Sequence, residues 1–112
     1  MPLHIGTMEW LISAPDSGGF ENVVILGDCD LYAAPAFASA MKMRIVQGSK
    51  KLRFDFSGVD YLDSTGIGAI IRILQEAKRM GAELRFRGLG GSPRKVLKMS
   101  NILPLMREDG PA

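Results

Sequence analysis

The spacing of apolar positions along the chain switches between two periods. Met8 to Ser13 is a short, partly β-branched apolar run that ends in the turn formers Ala14-Pro15-Asp16-Ser17-Gly18-Gly19. Glu21 to Gly27 reads as a second strand whose unbroken apolar run, Val23 to Leu26, suits a strand covered on both faces, and Asp28-Cys29-Asp30 closes it. Phe37, Ala40, Met41, Arg44 and Ile45 then recur at helical spacing, which predicts a helix over about residues 34–46 with Pro35 in its first turn. Leu52, Phe54 and Phe56 alternate with Arg53 and Asp55, the period of a third strand. Ser57-Gly58-Val59-Asp60 reads as a loop, and Tyr61-Leu62 lead into a second helix. There Ile67, Ile70, Ile71, Leu74 and Ala77 form an apolar stripe, closed by Gly81 as a C-terminal cap after Lys78 and Arg79.

Beyond that helix, Leu84 and Phe86 alternate with Arg85 and Arg87 in a fourth strand, and Gly88-Leu89-Gly90-Gly91 is a turn. Ser92 as N-cap and Pro93 in the first turn open a short helix through Val96, Leu97 and Ser100. Ile102 to Met106 fits either a short strand or coil, and residues 107–112 read as a frayed polar tail. The order is β-β-α-β-α-β-α. Every strand after the second is reached through a helix, which implies parallel pairing and right-handed crossovers. The expected fold class is therefore α/β: one domain over residues 1–112, with a small mixed, mostly parallel sheet of roughly four to five strands and helices packed against it.

Composition narrows the function classes. With 112 residues, 46% hydrophobic and 23% charged, the chain is long and apolar enough for one folded core. The net charge is +2, with basic residues scattered among acids, so direct nucleic-acid binding is not expected. A single cysteine, Cys29, rules out an internal disulfide, and a single histidine, His4, leaves metal binding and Ser-His chemistry short of parts. No metal or other cofactor is expected. Apolar runs fall well short of the roughly 20 residues that span a bilayer, and the N-terminus lacks the basic start of a signal peptide. A cytoplasmic protein without membrane insertion is expected.

The stretch that invites chemistry is Asp63-Ser64-Thr65-Gly66 at the start of the second helix. Unpaired N–H groups and the helix dipole favour hydroxyls and anions there. One of the three polar residues capping the helix is the simplest account, contributing roughly 1 kcal/mol. Yet capping needs one residue where three are supplied, and Gly66 and Gly68 weaken the first turns by up to about 1 kcal/mol each relative to alanine. Such a start suits a contact surface. Asp28 and Asp30 could form an acid pair, although strand-end and capping duty is commoner. Cys29 reads as a packed side chain, and the Gly88–Ser92 loop lacks the lysine of a phosphate loop.

Asp63-Ser64-Thr65-Gly66-Ile67-Gly68, after an alternating strand and Tyr61-Leu62, resembles the signature of the STAS domain of bacterial anti-sigma factor antagonists. Gly27-Asp28-Cys29-Asp30 is similar to the family's Gly-Glu-x-Asp after its second strand, and Ser92-Pro93 with Val96, Leu97 and Met99-Ser100 resembles its last helix. The likeness runs from about Val23 to Met106. Two positions depart from it: Asp28 replaces the usual glutamate, and Thr65 stands where a second serine is common.

The resemblance implies a switch protein and not an enzyme. Ser64 would be phosphorylated by a serine kinase that is also the anti-sigma factor, and a phosphatase of the PP2C type would reverse this. The implied partner surface comprises Asp28, Asp30, Asp63, Ser64, Thr65, Gly66, Ile67 and Arg72, with Gly66 allowing close approach and Thr65 capping or touching the partner. Two rival readings are a STAS subunit of a membrane transport or lipid-trafficking assembly, and a small hydrolase or nucleotide-binding enzyme. The absent His-based triad and phosphate-loop lysine count against the latter.

Overall fold

A computed structural model describes residues 8–109. His4 and residues 110–112 lie outside the described residues. The elements run β1 (Met8–Ile12), β2 (Glu21–Cys29), α1 (Ala34–Val46), β3 (Lys51–Leu62), α2 (Ser64–Met80), β4 (Glu83–Arg87) and α3 (Gly91–Met99), followed by a 3-10 turn at Leu103–Leu105. The sheet has the order β1-β2-β3-β4, with β1 antiparallel to β2 and the two later pairs parallel. This is the β-β-α-β-α-β-α order and the mixed, mostly parallel sheet expected from the helical crossovers.

One face of the sheet is buried. Val23, Ile25, Leu52, Phe54, Leu84 and Phe86 point into a core shared with Phe37, Met41 and Ile45 of α1 and Ile70, Ile73 and Ala77 of α2. A run of aromatic contacts ties four elements together: Trp10 to Phe37 (ring centroids 5.3 Å), Phe37 to Phe54 (6.1 Å) and Phe54 to Phe86 (5.5 Å). Edge-to-face and offset geometries of this kind add to the burial term. On the opposite face, Arg53 donates to Asp16 (2.7 Å) and Asp109 (2.5 Å) and lies over the ring of Phe20.

Four details differ from the sequence expectation. The segment 57–60 is strand, not loop, because β3 continues through two register shifts, each of which sets one extra β3 residue against β2, and keeps pairing up to Cys29↔Leu62. Those bulges break the strict alternation that a regular strand shows. On α2 the buried residues are Gly66, Ala69, Ile70, Ile73 and Ala77, so the core-facing stripe is rotated and Ile67, Ile71 and Leu74 lie at its margin. Helix α3 is capped at Gly90, with Ser92 inside the first turn. Residues 107–109 are anchored and not frayed: Phe86 donates to the Arg107 carbonyl (2.8 Å), Asp109 donates to the Phe86 carbonyl (2.8 Å), and Arg94 bonds Glu108 (2.7 Å).

Candidate functional site

The carboxyl ends of the parallel strands β2 and β3 lie side by side, with Asp28 opposite Tyr61 and Cys29 opposite Leu62. Both chains then turn into helices, so the loop at Asp30 and the start of α2 share one edge of the molecule. Such strand ends are where open α/β sheets present their sites. Asp63 is extended (φ −106°, ψ −172°), and its Oδ1 accepts from the Gly66 N–H at 2.9 Å, so Asp63 is the cap of α2. Thr65, which the sequence left as cap or contact, is relieved of capping. Ser64, the first helical residue, is exposed at the end of the dipole, and Thr65 is half-buried behind it. An Asp63→Ala variant is expected to lose about 1 kcal/mol of stability in a urea melt.

Gly66 does not serve the role the sequence suggested. It is buried, and a Cβ placed on it would overlap the Cys29 carbonyl oxygen and come within 2.5 Å of Leu62 Cδ1. Its missing side chain lets α2 seat against the end of β2, which leaves no opening there for a partner. Gly68 differs, since a Cβ there meets nothing within 4 Å. Gly68→Ala is expected to raise stability by about 0.5–1 kcal/mol in the same melt, the helix-propensity gain without a steric cost.

The other expected residues divide. Asp28 is half-buried on β2 facing the site edge. Asp30 is 9% exposed. Its Oδ1 accepts from the N–H groups of Tyr32 (3.0 Å) and Ala33 (3.2 Å), which fixes the turn into α1. Ile67 is half-buried and packs on the core. Arg72 stands eight residues beyond Ser64, about 12 Å along the helix, beside Lys42, Gln75, Glu76 and Arg79. The structure therefore gathers Asp28, Asp30, Asp63, Ser64 and Thr65 at one edge, and leaves Arg72 outside that cluster.

Three exposed side chains flank the edge and were not picked out from the sequence as site residues: Leu31 (56% exposed), Tyr32 (65%) and Tyr61 (49%). Their only signal in the sequence was an apolar residue beside a turn, which does not distinguish exposure from burial.

Cys29 lies beneath the site. Burial, reinforced by the negative charges of Asp63 and Asp30, pushes its thiol up to about 12. A thiol whose folded value exceeds its unfolded one stabilises the fold fully below the unfolded value of 9.0 and progressively less as pH rises toward about 12. At about pH 8 alkylation is expected to be slow in native protein and to accelerate with urea, whereas immediate labelling of native protein would contradict this burial.

Among the described residues no cluster of three or more His, Cys, Asp or Glu could hold a metal, and no helix is long and apolar enough to cross a membrane. The candidate site is the edge where the ends of β2 and β3 meet the capped start of α2, in a small α/β domain. The STAS domain family model matches residues 13–109, and the chain belongs to that family.

An anti-sigma-B factor antagonist of Listeria monocytogenes is 26% identical over 92 residues, covering 80% of this chain and 81% of that protein. One from Bacillus subtilis is 33% identical over 68 residues, 61% of this chain and 62% of its own. Among solved structures, the anti-sigma factor antagonist SpoIIAA in its unphosphorylated form superposes with a TM-score of 0.76 at 17% identity, covering 91% of this chain and 89% of that one. An anti-sigma factor antagonist from Mycobacterium paratuberculosis does so with 0.78 at 18% identity, covering 94% and 87%. At these identities the structures establish the shared fold.

Proposed function

We propose that this chain is an anti-sigma factor antagonist that binds an anti-sigma factor with serine-kinase activity while Ser64 is unmodified, and lets go once Ser64 is phosphorylated. The observation that carries the reading is the division of labour at the start of α2: Asp63 caps the helix, so the exposed Ser64 hydroxyl is not needed for the fold. The sequence relatives, which are anti-sigma-B factor antagonists, support the antagonist part of the reading.

In the reaction, Ser64 Oγ attacks the γ-phosphorus of the kinase's ATP. An O–P bond forms, the bond to ADP breaks, and the hydroxyl proton passes to a base on the kinase. The product carries about −1.5 to −2 charges at neutral pH. The amino end of α2 tolerates that charge within the chain. A partner surface shaped against a neutral hydroxyl meets a charge it cannot solvate, next to the carboxylates of Asp63 and Asp28. A PP2C-type phosphatase restores the binding form by hydrolysing the ester.

The test is titration of the purified chain into a serine-kinase anti-sigma factor from the same organism. A saturable complex that the kinase's sigma factor competes away is expected. Absence of any complex with the unmodified chain would overturn the antagonist reading.

A further inference from the structure

The apolar arc of α2 is wider than the core it covers. Ile67, Ile71, Leu74 and Lys78 follow one another at helical spacing along a flank of the helix, beside the buried stripe of Gly66, Ala69, Ile70, Ile73 and Ala77. Along that flank, a groove of about 450 Å³ opens between α2, β4 and the 3-10 turn. Ile71, Leu74 and Ala77 form one wall, Ala82, Leu84 and Phe86 the floor, and Leu105 the other side. The volume lies within the range of small-ligand sites, about 300–1,000 Å³. Leu105 is 63% exposed on this wall, a large apolar side chain held out by the turn.

The charges at the groove choose among occupants. Both charged side chains that line it, Lys78 and Arg107, are cationic and exposed. Glu83, at the start of β4, is paired chiefly with Arg85 at 2.6 Å, and the Arg107 charge contributes only a minor part of the lowering of its pKa. Glu108 and Asp109, which follow Arg107, are paired with Arg94 and Arg53. A neutral apolar ligand would leave the two cations unused, and a cationic one would be repelled. We propose that this groove binds a single-chain anionic amphiphile, with the hydrocarbon chain against Ile71, Leu74 and Leu105 and the anionic head between Lys78 and Arg107. A fatty-acid carboxylate and a single-chain phosphate ester share this chemistry. The site is separate from the Ser64 edge and does not depend on the switch.

The experiment titrates the whole chain with octanoate, decanoate and dodecanoate below their micelle concentrations, followed by amide and methyl NMR shifts. Decyl phosphate separates the two head groups, and decyltrimethylammonium serves as the oppositely charged control. One saturable site is expected, with shifts concentrated on Ile71, Leu74, Phe86 and Leu105. Affinity should rise roughly two- to fourfold per added CH₂. The cationic control should bind at least about tenfold more weakly. Leu105→Gln, an exposed position whose change leaves the core intact, should reduce decanoate affinity by about tenfold. The Lys78→Glu, Arg107→Glu double variant should reverse the head-group preference.

Binding that is non-saturable, equal for both head-group charges, or unchanged by Leu105→Gln overturns the proposal. So does a groove that shifts only when a protein partner is added, which would make it a protein contact.

Discussion

Ser64→Asp is expected to fold as the parent does and to bind the anti-sigma factor about 100-fold more weakly, whereas Ser64→Ala should bind within a few-fold of the parent. The fold is indifferent to either change because Ser64 is exposed and the cap is Asp63. An acid at the first helical position gains about 0.3–1 kcal/mol from the dipole, which repulsion from the adjacent Asp63 offsets, so melting temperatures should nearly coincide. The binding loss comes from placing an uncompensated charge in a desolvated contact, about 3 kcal/mol or two powers of ten. Affinities for the kinase measured by calorimetry, with melts of both variants, check this. Equal affinities would mean that the partner does not bury position 64.

Gly66→Ala should damage the protein where Ser64→Asp does not. The new methyl would overlap the Cys29 carbonyl and press Leu62, which is held in the core between β3 and α2. Backbone oxygen in a paired strand cannot swing aside as a long side chain can. Overpacking of this kind costs about 1–3 kcal/mol and at times more, against up to about 1 kcal/mol regained from helix propensity. A net loss of about 2 kcal/mol, read from urea melts, is expected. Gly68→Ala, two residues on, moves stability the other way, so the pair isolates packing from propensity. A Gly66→Ala protein as stable as the parent would show that α2 can lift off β2 cheaply.

These contrasts mark where the sequence was legible. Helix α1 was readable to its bounds because Phe37, Met41 and Ile45 repeat at a single period, Pro35 fits only a first turn, and Gly48 follows the last turn. In α2 the apolar residues at 67, 70, 71, 73 and 74 spread over about 160° of the helix, so the pattern announced a helix but could not rank positions within that arc. The structure puts Ile73 inside and leaves Ile71 on the groove.

The stretch 57–60 read as a loop because β3 itself is bulged there, with one extra residue between Asp55 and Gly58 and another between Val59 and Tyr61, and each displaces the alternation. A bulged strand that contains Ser57 and Gly58 has the same local pattern as a loop. The candidate site was legible as a motif, but the roles within it were not. Three adjacent polar residues can each cap a helix, and only the extended backbone at Asp63 decides between them. Gly66 looked open because its crowding arises from Cys29, distant in sequence. Arg72 shares the helix but not the edge.

The claim on which the rest depends is that Ser64 is the chemical switch. It is tested most directly by incubating the chain with the serine-kinase anti-sigma factor and ATP, then locating phosphate by peptide mass spectrometry. The account predicts one phosphate per chain, on Ser64, with Thr65 unmodified, and loss of kinase binding in step with its appearance. Phosphate on Thr65 or elsewhere, no phosphate at all, or a phosphorylated chain that still binds as tightly would contradict it.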